Sequence, residues 1–438
     1  MTLMVFSRSG GRVLAGLALA SILSACNSDH SLMPTPAIYV GAGAKPLFES
    51  APANHGANNI DLLYVTDRAP IIAPDGSLSY GVDRSRHMSF GSLTVDIDGA
   101  PSDPPTGPQH SLSSVNRIGS FPSTPYDIEP TRAGYLRAPD VVSAHESAVA
   151  SLQAEVGRRL ARSKRKEIVF FIHGYNTTFE DAAYTTGEIA HLIGGEFVTI
   201  MLSWPAGGSK GLMMGYNVDR ESGEFAVQDM KKAIRAIATA KGVQKVHFVA
   251  HSRGTDVLAS ALQQLGIETY VAQSSLSARL KVTNIVLFAP DIDVDVASSK
   301  IFDVASDPDL SYGSGKKPKG SFPQGDLHLT VYSSPNDKAL DASQIMFGSI
   351  MRLGQLNPKE RDPNEVAKAP QDTGLADFIE YEGDGGAFGH SYFLTDPNVN
   401  ADLVGLIRYG LKAGDPRRPI AEIKRPFWLL VSKQTASQ

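Results

Sequence analysis

The clearest regularity in the chain is an exchange between two hydrophobic periods that begins at residue 167. EIVFFIHG (167–174) is an unbroken apolar run closed by glycine, the pattern of a strand buried on both faces. FEDAAYTTGEIAHLIG (179–194) switches to helical spacing, and EFVTIMLSWP (196–205) returns to a strand that Pro205 stops. EFAVQDMKKAIRAIATAKG (224–242) sets Val227, Met230, Ile234 and Ile237 on one helical face and ends at Gly242. VQKVHFVAHSRG (243–254) reads as a strand running into a tight turn, and 255–266 as a helix. VTNIVLFAPD (282–291) and LHLTVYSSPND (327–337) predict two further buried strands. LADFIEYE (375–382) predicts the last one, and ADLVGLIRYGLKAG (401–414) a closing helix. Such alternation predicts an α/β fold, an open, mostly parallel sheet with helices on both faces and ligands at the carboxyl ends of its strands.

Before residue 167 the pattern is looser. IDLLYVTD (60–67) and HMSFGSLTVDID (87–98) alternate as strands, and Val141 to Arg162 carries apolar residues at helical spacing. Residues 99–126 are dense in Pro, Ser and Gly and predict a long surface loop. GSGKKPKGSFPQG (313–325) reads as a flexible basic loop with solvated lysines. The catalytic core is expected over 166–412 of a domain spanning 58–438.

The first 26 residues follow another logic. Arg8 and Arg12 precede an apolar stretch, Val13 to Leu23, that is too short for a bilayer span of ~20 residues. It ends in Leu23-Ser24-Ala25-Cys26, which resembles the bacterial lipoprotein signal. That resemblance implies cleavage after residue 25, acylation of the Cys26 sulfur, and a lipid-anchored place in the bacterial cell envelope. In a Gram-negative host, Asn27 implies the periplasmic side of the outer membrane. Residues 26–57, rich in Pro, Ala, Gly and Asn, read as a flexible tether.

Composition narrows the function classes. Of the 438 residues 42% are hydrophobic and 20% charged, as in an ordinary globular protein rather than a disordered or polytopic one. The net charge is −5 and becomes −7 once residues 1–25 leave with their two arginines, which offers nucleic acid no electrostatic attraction. Cys26 is the single cysteine, so no intramolecular disulfide or cysteine-based zinc cluster can form. No metal or other cofactor is expected: HExxH and the P-loop spacing are absent, and the Asp291-Ile292-Asp293-Val294-Asp295 run has Val296 where a calcium loop needs Gly.

Candidate chemistry sits at the strand ends. In VHFVAHSRGTDVL, Ser252 lies on a strand–turn–helix with Ala250 and Gly254 two residues to either side. Small flanking residues let a sharp turn push a serine hydroxyl outward as a nucleophile, which then needs a base. In this architecture the order is serine, acid, histidine. Beyond His251 only His328 and His390 remain; His328 falls on a strand, whereas His390 lies in the glycine-rich loop EGDGGAFGHSYF. The orienting acid is Asp337, or alternatively Asp291, each after a strand. An oxyanion hole needs two backbone N–H groups: Arg253, following the nucleophile, and Tyr175 or Asn176 in the His173-Gly174-Tyr175-Asn176 turn. His173 is expected to order that turn. Trp204, and the apolar Leu212–Tyr216 stretch, are pocket wall or plain packing.

These pieces resemble the α/β-hydrolase superfamily and, within it, the DUF900 group of bacterial esterase/lipase-like hydrolases. The likeness covers roughly 60–412 through YVTDR (64–68), FIHGYNTTFEDA (171–182), LSWPAGG (202–208), YNVDRESGEFA (216–226), VAHSRGTDVL (249–258), APDIDVDV (289–296), VYSSPNDKAL (331–340) and GHSYF (389–393). It implies the triad Ser252, Asp337 and His390, with a small-molecule or lipid ester as substrate. Members often carry Met where Arg253 stands, and a cation there would favour acidic or polar acyl groups or simply form a salt bridge. The alternative reading is a catalytically silent lipoprotein that uses the same fold for binding or envelope structure.

Overall fold

The computed structural model describes residues 32–40, 44–48, 58–97, 110–208, 212–272, 274–303, 327–349, 351–356, 374–383, 385 and 388–431. The signal with Cys26 and the 313–325 loop lie outside the described residues.

The elements follow in chain order. Strands β1 (Asn59–Ile72), β2 (Leu78–Ile97) and β3 (His110–Ser120) precede a hairpin of β4 (Ile128–Thr131) and β5 (Gly134–Arg137). Then come α1 (Pro139–Arg162), β6 (Glu167–Ile172), α2 (Phe179–Leu192), β7 (Val198–Ser203), α3 (Leu212–Ala238), β8 (Lys245–His251) and α4 (Gly254–Val271). The second half holds α5 (Leu276–Leu280), β9 (Val282–Phe288), α6 (Val294–Ser298), β10 (His328–Ser333), α7 (Lys338–Phe347) and β11 (Ala376–Glu380). The chain closes with α8 (Tyr392–Thr395), α9 (Pro397–Ile407), β12 (Ile420–Lys424) and β13 (Phe427–Leu430).

One sheet takes eleven of these strands in the order β12-β13-β11-β10-β9-β8-β6-β7-β1-β2-β3. From β13 to β1 the neighbours are parallel, and β12, β2 and β3 pair antiparallel at the edges. The period of two sorts side chains to opposite faces. In β6, Ile168, Phe170 and Ile172 join Leu152 of α1, Ile234 of α3 and Leu258 of α4, whereas Val169 and Phe171 join Ile189 of α2 and Val404 of α9. This is the α/β-hydrolase fold, with helices on both faces of a mostly parallel sheet. Helix α2 starts where the sequence places it because Thr178 and Asp181 form a reciprocal capping box.

The structure corrects three expectations. The loop expected over 99–126 contains β3, which pairs with β2 along Ile97↔His110 to Ser89↔Ser120. It is a polar edge strand with only His110 buried, so no apolar period marks it. LADFIEYE is not the last strand, because β13 pairs with β11 and extends the sheet past 412. Finally, the tether expected over 26–57 does not hold for 32–40 and 44–48. Met33 and Leu32 pack into the body, Met33 N–H donates to Glu188 Oε2 at 2.7 Å, and Tyr39 O–H donates to the Leu192 carbonyl at 2.7 Å. A few apolar anchors inside a Pro-, Ala- and Gly-rich stretch suffice to dock it.

Candidate active site

The carboxyl ends of β6, β7, β8, β9 and β10 share one edge of the sheet. At the end of β8 the chain turns through Ser252, whose φ of +52° lies in the left-handed region that non-glycine residues rarely occupy. The turn is held by Ser252 N–H donating to the Phe288 carbonyl at 3.0 Å and Thr255 N–H donating to the Ser252 carbonyl at 3.1 Å. Glycine is required on both sides of this contact. A Cβ on Gly254 would stand 2.2 Å from the His173 carbonyl oxygen, and one on Gly174 would stand 2.8 Å from Ser252 Cβ. The serine turn and the His173–Asn176 turn thus touch only because both glycines lack a side chain.

Asp337 follows β10 and caps α7. Its Oδ1 accepts from the Ala339 and Leu340 N–H groups, each at 3.1 Å, and its Oδ2 lies 2.7 Å from His390 Nδ1. The cap fixes the carboxylate before the histidine meets it. Gly389, at φ +69°, lets the His390 loop close on this turn, since a Cβ there would lie 2.6 Å from the Asn336 carbonyl oxygen. Burial works against a charged His390, but the Asp337 carboxylate and its hydrogen bond outweigh this and raise the imidazole above its ordinary value. Beside Ser252, the His251 ring lies 4.9 Å from that of His390, with His251 Nε2 3.3 Å from the His390 carbonyl oxygen. Burial, with the neighbouring His390, holds His251 well below the ordinary imidazole value, so it is neutral.

A model of the family described as alpha/beta hydrolase of unknown function, DUF900, matches residues 148–407, more than half of the chain. The chain belongs to the DUF900 α/β-hydrolases. Solved structures with a likeness include an inhibited esterase B from Lactobacillus rhamnosis, at 13% identity and a TM-score of 0.28, covering 55% of this chain and 72% of that one. Carboxylesterase CesB (YbfK) from Bacillus subtilis is 14% identical at a TM-score of 0.27, covering 60% of this chain and 99% of that one. At these values neither adds to the assignment. No curated protein matches the chain.

In this DUF900 hydrolase the alternative acid, Asp291, is committed elsewhere. Its Oδ2 accepts from Tyr216 O–H, its Oδ1 accepts from Ser343 O–H at 2.7 Å, and Arg352 Nε lies 3.4 Å away. The structure therefore brings Asp337, and not Asp291, to His390. His328 is far from this cluster in role as well as place: its Nε2 meets Asp377 Oδ2 at 2.7 Å at the start of β10. Of the two alternatives in the 173–176 turn, the Asn176 N–H is turned to Asp219 Oδ2 at 2.8 Å, which removes it as the anion donor. Arg253 is buried and salt-bridged to Asp256 Oδ2 at 2.8 Å, and Asp256 also meets Lys300 at 2.6 Å. Its charge is thus balanced inside the protein. Leu212–Tyr216 is the first turn of α3.

Two residues that sequence reasoning did not single out shape the donor turn. Arg68, wholly buried, donates to the Thr177 carbonyl at 2.7 Å, the Ala206 carbonyl at 2.8 Å and Ser203 Oγ at 2.8 Å, and its Nη2 lies 3.3 Å from His173 Nε2. Burial pulls its pKa down to about 10, and the Asp67 charge opposes this. Asp219 ties the same turn to Gly207 N–H at 3.3 Å, and burial raises its carboxyl to about 6. His173 does order the turn. Its Nε2 accepts from Trp204 N–H at 3.1 Å, its ring stacks on Trp204, and burial, with Arg68 beside it, lowers it to about 3. Trp204 in return donates from Nε1 to the His173 carbonyl at 2.8 Å, which holds the buried indole against the turn. Only the YVTDR and YNVDRE motifs mark Arg68 and Asp219, and neither motif names the partner.

Proposed function

We propose that this protein is a lipid-anchored serine hydrolase that cleaves carboxylic esters through an acyl-enzyme. The observation that carries the reading is the capped Asp337 against His390 Nδ1, with the His390 ring 4.9 Å from that of His251, the residue before the positive-φ Ser252. Asp337 holds the imidazole with Nδ1–H toward it, leaving Nε2 to take the Ser252 proton. The serine oxygen attacks the ester carbonyl, and the negative oxygen that forms is received by the Arg253 and Tyr175 N–H groups. Collapse expels the alcohol, which takes the proton from His390. Water, deprotonated by the same nitrogen, then releases the acid and restores the serine. Each oxyanion donor is worth ~2.7–4 kcal/mol of transition-state stabilisation. Cys26, acylated at the membrane, would keep the enzyme at its lipid or small-molecule esters without a cofactor.

A p-nitrophenyl ester series of increasing acyl length tests this by rapid mixing. A burst of nitrophenol equal to the enzyme concentration is expected, lost in Ser252→Ala. Turnover that survives undiminished in Ser252→Ala would overturn the reading.

A further inference from the structure

The Arg253 N–H, one of the two proposed oxyanion donors, shares its peptide unit with the Ser252 carbonyl. The two point in opposite directions across a planar trans peptide, so whatever holds the carbonyl also aims the N–H. Three donors hold it. Thr255 gives its N–H at 3.1 Å and its hydroxyl at 2.6 Å, and the Asp291 N–H arrives from the turn after β9 at 3.3 Å. The hydroxyl makes the shortest of the three bonds. Thr255 and Asp291 are 1% and 2% exposed, which leaves water little access to this carbonyl. The Ser252 backbone is strained at φ +52°, so the turn needs such bonds to keep its shape.

A threonine hydroxyl bonded to a carbonyl three or four residues back is a common helix device. Thr186 makes this bond to Ala182 in α2, and Thr269 makes it to Gly266 in α4. In both, the peptide lies inside the helix and its N–H is spent on the helical ladder. At Thr255 the peptide lies before the first helical turn. Arg253 is the N-cap of α4, so its N–H has no acceptor within the helix. Polarising the carbonyl end of that peptide therefore strengthens a donor that the helix does not use.

We infer that Thr255 is a positioning residue of the oxyanion hole: its hydroxyl fixes and polarises the Ser252–Arg253 peptide, and through it the Arg253 N–H. The inference rests on the ester-hydrolase reading above. It gives the hydroxyl no contact with the substrate and no part in proton transfer.

The test compares Thr255→Val and Thr255→Ala, which lose the hydroxyl, with Thr255→Ser, which keeps one. The two N–H donors stay on the Ser252 carbonyl in every variant, so no buried acceptor is left bare and the fold should persist. The protein, purified as its host processes it, is assayed with a p-nitrophenyl ester and with the matching thionoester. The thionoester gathers its charge on sulfur, a weak hydrogen-bond acceptor that draws less from the donor. For the ester, kcat/KM should fall roughly 3–10-fold in Thr255→Val and Thr255→Ala, the worth of one hydrogen bond, and stay within about twofold in Thr255→Ser. For the thionoester the loss should be smaller, and the acid limb set by His390 should not move. Ester rates unchanged in Thr255→Val and Thr255→Ala, or ester and thionoester falling equally, would overturn the inference. If the unaltered protein turns over neither substrate, the ester-hydrolase reading itself fails, and Thr255 has no oxyanion donor to position.

Discussion

At the scale of single residues the site is a matter of which carboxylate meets which ring. Asp337 and Asp291 both follow strands, and the chain alone does not choose between them. The choice lies in partners remote in sequence: His390 for Asp337, and Tyr216, Ser343 and Arg352 for Asp291. Asp337→Asn should therefore lower kcat by about 10³–10⁴-fold, through loss of the orienting charge. Asp291→Asn should cost far less. Steady-state ester hydrolysis decides it, and the reverse ranking would move the acid to Asp291. The sign of the pH dependence follows from the same pair. His390 must be neutral to accept a proton, and Asp337 raises its pKa above 6.5. kcat/KM should fall with acid along a limb centred above pH 6.5, and Asp337→Asn should shift that limb downward. A limb below 6.5 in the unaltered protein would contradict the pairing.

At the scale of elements, the legible parts were those set by local sterics and period. Ala250-x-Ser252-x-Gly254 reads as a tight turn because only small side chains fit around it, and the structure shows the strained φ at Ser252 that such a turn imposes. The His173 turn was legible as a strand end but not in its detail. Arg68 and Asp219 hold it from 109 and 43 residues away in the chain, and no periodicity reports a partner at that distance. The contact between the two turns yields its own prediction. In Gly254→Ala the added methyl meets the His173 backbone, which cannot move without shifting β6. About 1–3 kcal/mol of stability should be lost, read as a lower urea midpoint. An unchanged midpoint would mean that the turns do not touch.

Across the whole molecule, the central strands announced themselves as apolar runs because both their faces are buried. The edges were harder to read for the opposite reason. β3 is largely exposed, and β12 has only one half-buried residue among exposed ones. The docked segments 32–40 and 44–48 were hidden by their composition, since Met33 and Tyr39 find partners on α2 and at Arg408, just past α9, that the local sequence cannot supply. What the assembled sheet achieves is to bring the ends of β8 and β10 and the loop after β11 to one edge, from 252, 337 and 390 in the chain. Ester hydrolysis at this edge requires Ser252 to be an activated nucleophile, and the most direct measurement is covalent labelling with a fluorophosphonate followed by peptide mass mapping. One adduct on Ser252 is predicted, with none in Ser252→Ala or His390→Ala. An adduct that persists in Ser252→Ala, or none in the unaltered protein, would contradict it.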